Sequence, residues 1–386
     1  MPELRFSTFG GEWNQHKLGD LCDEFRSGKS IKAKDIQNEG RYPVLGGNGL
    51  RGYTNTYNHD GVYALIGRQG ALCGNMNISY GKAYFTEHAI AVKGNENNDT
   101  RFLFYLLGKM NLGQYSGQSA QPGLAVNKLI ELTASTPNHA EQTKISEFFT
   151  QLDETISLHQ QELDTLKQTK QGFLQKMFPN EGESIPQFRF SSFNEKWKEH
   201  KLGELGNTFT GLSGKTKEDF GHGSAEFVTY MNVFRNPISD IKMTENVEVD
   251  PKQNELQFGD VLFTTSSETP HEVGMSSVWL DNRKNVYLNS FCFGYRPIAN
   301  INPLFLAYSL RSKSIRKQLM LLAQGISRYN ISKTKAMEIL VKLPSVEEQI
   351  KIGNFFKQLD DVIALHQQEL DALKQTKKAF LQKMFV

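Results

Sequence analysis

The sequence predicts an α+β protein, in which two similar mixed α/β domains are separated by two long antiparallel coiled-coil helices and related by a pseudo-two-fold internal repeat. Two duplications and one heptad pattern carry that prediction. Residues 2–21 and 186–205 match at eleven of twenty positions, including Arg5/Arg189, Phe6/Phe190, Trp13/Trp197, His16/His200 and Gly19/Gly203. Residues 141–178 and 348–385 match at twenty-eight of thirty-eight positions. Between these shared parts the halves diverge, and the second carries 23 extra residues. Self-similarity at a fixed offset is the signature of a repeated architecture. Shared parts must perform one task twice, and unlike parts related tasks on different targets.

The repeated 38-residue segments are predicted helices. Ile145, Leu152, His159, Leu166 and Phe173 fall at heptad d, and Gln142, Phe149, Ile156, Leu163, Lys170 and Met177 at a; the second copy repeats the pattern from Gln349 to Met384. Asn138 with Glu141, and Ser345 with Glu348, supply N-terminal caps after a proline. Such a helix spans about 57 Å at ~1.5 Å per residue. One apolar stripe requires a partner, and the nearest is the other copy. A two-fold axis perpendicular to the helices makes them antiparallel, with a globular domain expected at each end of the pair. Lys170/Lys377 and His159/His366 in the seam are expected to help set register.

The expected organisation is therefore a first domain over 1–140, a helix over 141–178, a linker over 179–185, a second domain over 186–347 and a second helix over 348–386. In the first domain, strands are expected at Tyr42–Leu45, Gly61–Ile66 and Ala83 through Val92, with a helix from Leu103 to Met110. The counterparts are Phe227–Tyr230, Asp260–Phe263 and Asn285 through Tyr295, with one helix from Pro303 to about Ala323.

Composition is that of an ordinary globular chain, with 38% hydrophobic and 22% charged residues. No apolar run is long enough to cross a bilayer, and no basic-then-apolar leader opens the chain, so neither membrane nor export is expected. Three distant cysteines, Cys22, Cys73 and Cys292, form no Cys-x-x-Cys pair, and a reducing cytoplasm is the expected setting. Net charge is only +2. That excludes a non-specific basic nucleic-acid coat, so DNA binding requires basic groups gathered on one face of each domain.

The loops between strands carry groups suited to DNA. The first domain offers Asn48, Arg51 and Tyr53, then Arg68 and Gln69, then Gln118 and Gln121. The second offers Thr265, Ser266 and Ser267, then Arg328, Tyr329 and Asn330. Arginine grips guanine O6 and N7, asparagine and glutamine grip adenine N6 and N7, and hydroxyls meet bases or phosphates. Two Gly-Lys turns, at Lys29 and Lys215, imitate a phosphate loop. Asp23 and Phe209 stand where its first glycine is required, so neither forms the cradle. They read as paired turns of the repeat, with lysines free for phosphate or solvent. No adenine-methylation motif, S-adenosylmethionine glycine loop, nuclease metal set, Gly-x-Ser-x-Gly or His-Glu-x-x-His is found, and a non-catalytic chain is expected.

The order of domain, long helix, domain, long helix resembles the specificity subunits of type I restriction-modification systems over essentially the whole chain. The motifs are Trp13 to Gly19 and Trp197 to Gly203, the Ser-Gly-Lys turns, Pro137 to Gln142 and Pro344 to Gln349, and the shared Phe-Leu-Gln-Lys-Met-Phe endings. The resemblance implies that each domain reads one half of a bipartite duplex DNA target. It implies that the helices set the unread gap and dock two methyltransferase subunits, with two restriction/translocase subunits added. S-adenosylmethionine, ATP and Mg2+ are then used by those partners, with no cofactor in this chain. The competing reading is a coiled-coil scaffold with two protein- or glycan-binding heads.

Overall fold

The computed structural model describes residues 1–117 and 123–386. Gln118 and Gln121 lie outside the described residues. The two globular parts are called the first and second heads here, and the long helices the arms.

The first head is organised by an antiparallel sheet in the order Cys22–Ser27, Ala89–Gly94, Tyr63–Gly67, Met76–Ser79. The two inner strands read Ala-Ile-Ala-Val-Lys-Gly and Tyr-Ala-Leu-Ile-Gly. Such continuous short apolar runs suit strands covered on both faces. Helix Thr100–Lys109 covers one face with Phe102, Leu103, Tyr105, Leu106 and Leu107, and Asp99 caps it by accepting from the Phe102 amide at 2.9 Å. A second sheet orders Gly49–Thr54, Tyr42–Gly46 and Tyr84–Phe85. A two-stranded ribbon joins Asn14–Lys17 to Thr133–Thr136, closing the head immediately before its arm.

The second head repeats every part. Its main sheet runs Gly206–Thr210, Cys292–Pro297, Val261–Thr264, Ser276–Val278. Its second sheet orders Thr244–Val247, Phe220–Val228 and Val286–Leu288, and its ribbon pairs Lys198–Lys201 with Leu340–Leu343. The expected single helix after Pro303 is two, Pro303–Ser309 and Lys313–Leu322. The chain turns at Leu310–Ser312, where Arg311 donates to the carbonyls of Val233, Phe234, Arg235, Asn236 and Ser276 at 2.7–3.2 Å. Two runs expected as single strands are also broken, at Thr86–His88 and at Asn289–Phe291, where the chain passes from the second sheet to the main one.

The arms are His139–Lys176 and Val346–Met384, each beginning two residues before its predicted start. Asn138 and Ser345 accept from the amides of Glu141 and Glu348 at 3.0 and 3.3 Å, as the cap pattern requires. The glutamates themselves turn elsewhere. Glu141 accepts two hydrogen bonds from Arg5, both 2.6 Å, and Glu348 accepts two from Arg189, both 2.7 Å. Buried Gln142 and Gln349 each donate back to the preceding proline carbonyl. Each also accepts the amide of the head-helix cap, Asp99 or Asn302, at 3.0 Å. The repeated Pro-x-x-x-Glu-Gln segment is thus a joint that fastens an arm to its head.

The chain divides into two compact units inside the arms, not at their ends: residues 1–161 with 367–386, and residues 162–366. Within each unit the two arms run antiparallel, with Phe148 against Phe380 in the first and Phe173 against Phe355 in the second. Seam lysines explain the register. Lys377 binds Asp153, which accepts from Tyr105 at 2.9 Å; Lys170 binds Asp360, which accepts from Tyr308 at 2.8 Å. Each lysine also lies over its tyrosine ring at 5.5 Å. Each unit's core holds an arm ending that lies far from its head's own residues in sequence or directly precedes them: Phe385 packs on Trp13 and Phe102, and Phe178 on Trp197 and Phe305.

All three thiols are free, and burial pushes Cys22 up to about 12. Among the described residues, no helix is long and apolar enough to cross a membrane.

Candidate nucleic-acid interface

One construction recurs at the open end of each main sheet. In the first head the chain leaves strand Tyr63–Gly67 at Arg68 and Gln69. The Arg68 amide donates to His88 O at 2.9 Å, and its carbonyl accepts from Leu124 at 2.9 Å. Gln69 bridges Gly123. In the second head the chain leaves Val261–Thr264 at Thr265. Its amide donates to Phe291 O at 3.1 Å, and its carbonyl accepts from Ile331 at 2.9 Å. Ser266 and Ser267 then pair with Asn330 and Tyr329. Two loops far apart in sequence, both predicted DNA-facing, are therefore zipped together in the second head. In the first head the same bonds join Arg68–Gln69 to the segment that begins at Gly123.

The side chains on this framework differ. In the first head Asn48, Arg51 and Gln69 are exposed, and His88 faces Gln69 with Nδ1 at 3.2 Å from Oε1. The turn Gly46–Gly49 comes close to it, since a Cβ on Gly47 would meet His88 O at 2.6 Å. Arg68 is half-buried and reaches Glu87 O at 3.4 Å. Tyr53 is half-buried, and its backbone pairs with Gln37 in both directions at 2.8 Å. In the second head Arg328 and Asn330 are exposed and Tyr329 half-buried, while Thr265 donates its hydroxyl to Phe291 O at 2.7 Å. Ser266, Arg328, Tyr230, Phe234 and Glu268 line a cleft of about 300 Å³. The Tyr230 hydroxyl donates to Ser266 O at 2.6 Å.

Two predicted contacts are committed elsewhere. Ser267 is buried and its hydroxyl donates to Glu272 at 3.2 Å. Lys215 is 11% exposed, with its ammonium 3.2 Å from Asp250 and 4.0 Å from Asp219. Lys29 is exposed. The two Gly-Lys turns are not counterparts either. Gly28 corresponds to Gly211: a Cβ on Gly28 would lie 2.3 Å from Phe85 O, and one on Gly211 would lie 2.1 Å from Asn289 O. Both must be glycine because strand and crossing loop touch backbone to backbone. Lys29 therefore matches Leu212, and the likeness of the Ser-Gly-Lys turns is coincidental.

Sequence reasoning missed His88 and Phe291. Each sits in a turn hidden inside an apolar run, and only the polar pairs Glu87-His88 and Asn289-Ser290 could have signalled the break. The joined loops and the turn beside them form a ridge in each head, and on it Phe291, 64% exposed, is an apolar group of a kind that can contact a base. Basic residues are concentrated in one stretch of the sequence. Between 311 and 342 the second head has eight basic side chains and one acid, Glu338, although its overall balance is near neutral. Lys313, Arg328 and Lys335 of that stretch are exposed. These three can meet a polyanion, whereas Arg311 and Arg316 are engaged with carbonyls and Lys317 and Lys342 with Glu181 and Glu199.

Fold and site define a class: two unlike heads of one mixed α/β design, each fastened to antiparallel helical segments within its own unit. A family model for the type I restriction modification DNA specificity domain matches residues 10–168 and again 194–375. The chain belongs to that family. It is 42% identical over 154 residues to the type I restriction enzyme EcoprrI specificity subunit of Escherichia coli, covering 39% of this chain and 38% of that one. It is 22% identical over 401 residues to the MjaVIII specificity subunit of Methanocaldococcus jannaschii, covering 96% and 91%. The fold matches the crystal structure of a type I restriction-modification S subunit from M. genitalium with a TM-score of 0.67 at 17% identity, covering 100% and 99%. A chain from a structure of type I restriction-modification complex assembly matches with a TM-score of 0.55 at 15% identity, covering 97% of each.

Proposed function

We propose that this chain is the specificity subunit of a type I restriction-modification enzyme, with each head reading one half of a split duplex DNA target. The observation that carries the reading is the twice-built ridge, one backbone framework bearing unlike side chains in the two heads. A shared framework places DNA in the same way twice, and unlike side chains read unlike bases. The arms set the unread interval and dock two methyltransferase subunits, because matching helical surfaces suit identical partners. Two restriction/translocase subunits complete the enzyme. Methyl transfer with S-adenosylmethionine and cleavage with ATP and Mg2+ belong to those partners, so this chain performs no catalytic step. The complex acts in the cytoplasm, where its DNA is.

The deciding experiment is to map methylated adenines across a genome in cells carrying this chain and its methyltransferase. A split site with a fixed interval is expected; modification at a single unbroken motif overturns the reading. Arg328→Ala is expected to weaken binding through one half-site alone. A guanine contact appears as lost discrimination of about 1–3 kcal/mol at one position, and a phosphate contact as a salt slope shallower by about 0.9. Equal loss at both half-sites counts against the assignment of Arg328 to the second head's ridge.

Arm length offers a separate test. Seven residues removed from each arm at matching points shorten it by about 10 Å. The interval between half-sites should change, or binding should fail, with both half-site sequences retained. An unaltered interval would show that the arms are not the ruler.

A further inference from the structure

Arg316 lies beneath the loop that leads from the second head's central strand to Ser276–Val278. It belongs to helix Lys313–Leu322, which buries Ile315 and Leu319. Its Nη1 donates to Gly274 O at 2.8 Å, and its Nη2 donates to His271 O at 2.8 Å and Val273 O at 2.6 Å. Three carbonyls of one loop thus converge on one cation. Among the described residues no carboxylate lies within 4.0 Å of that guanidinium. Burial lowers its pKa to about 10, so it remains charged near neutrality. Its partners are the neutral carbonyls of the loop and not a carboxylate. It is a costly choice for packing alone, which an apolar side chain could serve.

The loop it holds carries the ridge. Ser266 and Ser267 pair with Asn330 and Tyr329 at one end; in the middle Glu272 accepts from Ser267 and Thr269 at 3.2 and 2.9 Å. Arg316 fixes the returning end. The first head solves the same problem without a side chain. Gly74, at φ +86°, takes the place of Gly274 and lies so near the short turn Leu112–Tyr115 that a Cβ would meet Gly113 N at 2.2 Å. Part of the extra length of the second half therefore supplies a helix bearing Arg316 where the first half has a backbone contact.

We propose that Arg316 is the positioning residue of the second head's base-reading loop: its three carbonyl contacts set the conformation of Ser266–Gly274. The assignment rests on the DNA-reading function of the heads. The planar fork is essential to it, since a lysine supplies charge but not three fixed directions.

The test uses the full chain, Arg316→Met and Arg316→Lys, a duplex pool randomised in sequence, and amide exchange on each protein alone. For Arg316→Met, base preference at one half-site should fall by about tenfold, the weight of one base pair, with the other half-site unchanged. Amides of 266–274 should lose protection while those of Cys292–Pro297 keep it. Arg316→Lys, which keeps the charge but not three fixed directions, should recover neither loop protection nor base preference in full. The proposal is overturned if Arg316→Met leaves loop protection and both preferences intact. It is equally overturned if both variants strip Cys292–Pro297 of protection, since Arg316 then supports the whole head. If the unaltered chain selects no sequence from the pool, the DNA reading itself fails, and the exchange data still show whether Arg316 holds the loop.

Discussion

Phe385→Ala is expected to destabilise the unit that contains residue 1 by about 3–5 kcal/mol, although the substitution lies at the opposite end of the sequence. The Phe385 ring is 3% exposed. Its centroid stands 5.3 Å from that of Phe102, 5.8 Å from Phe149 and 6.3 Å from Trp13. Truncation to alanine removes the apolar contact and leaves a cavity that three large rings cannot close without leaving their rotamers. Phe178→Ala is the matching experiment for the other unit, where the partners are Trp197, Phe305 and Phe356 at 6.2, 5.7 and 5.8 Å. Amide exchange distinguishes the two outcomes. Phe385→Ala should expose Ala89–Gly94 and spare Cys292–Pro297, and Phe178→Ala the reverse. Equal loss in both strands after either change would show that the units do not have separate cores.

The arms were legible because two independent signals coincide there, a heptad stripe and a near-identical copy. The buried apolar positions of the first arm, Ile145, Phe149 and Leu163, are all ones that the heptad assigns to the seam, whereas buried Glu141 and Ser146 lie off it. The loops predicted to face DNA were legible as loops, from glycine and polar clusters, and the structure zips two of them together in the second head. Less accessible was anything decided by contact between distant segments. The purpose of Arg5 and Arg189 depends on Glu141 and Glu348, more than a hundred residues away. The break at Leu310–Ser312 depends on carbonyls that Arg311 finds elsewhere in the fold. Periodicity cannot report such partners. Local likeness also misled: Gly28-Lys29 and Gly214-Lys215 agree in letters, yet backbone crowding equates Gly28 with Gly211. His88 and Phe291 stayed hidden because apolar residues on both sides belong to different sheets and read as one strand.

Replacing residues 206–339 with the corresponding part of another family member should change the bases read at one half-site and leave the other as it was. Each displaced base pair costs about 1–3 kcal/mol, so even two mismatches lower affinity for the original half-site by roughly 30-fold or more. The independence follows from the cores: the clusters around Val261 and Phe293 and around Ile66 and Val92 share no residue. The graft nevertheless has to keep the joint. Asn302 meets Gln349, Phe305 meets Phe178 and Trp197, and Tyr308 donates to the Asp360 carboxylate that holds Lys170. The first head has Asp99, Phe102 and Tyr105 in the same three places, so the requirement is met by any head built on this plan. A graft lacking the tyrosine leaves the Asp360 carboxylate one donor short within a half-buried network, and the second unit should then melt earlier whatever DNA it reads. Base sequencing of the modified sites decides the matter. A change in both half-sites after a single exchange would mean that the heads do not read separately, and the modular account would fall with it.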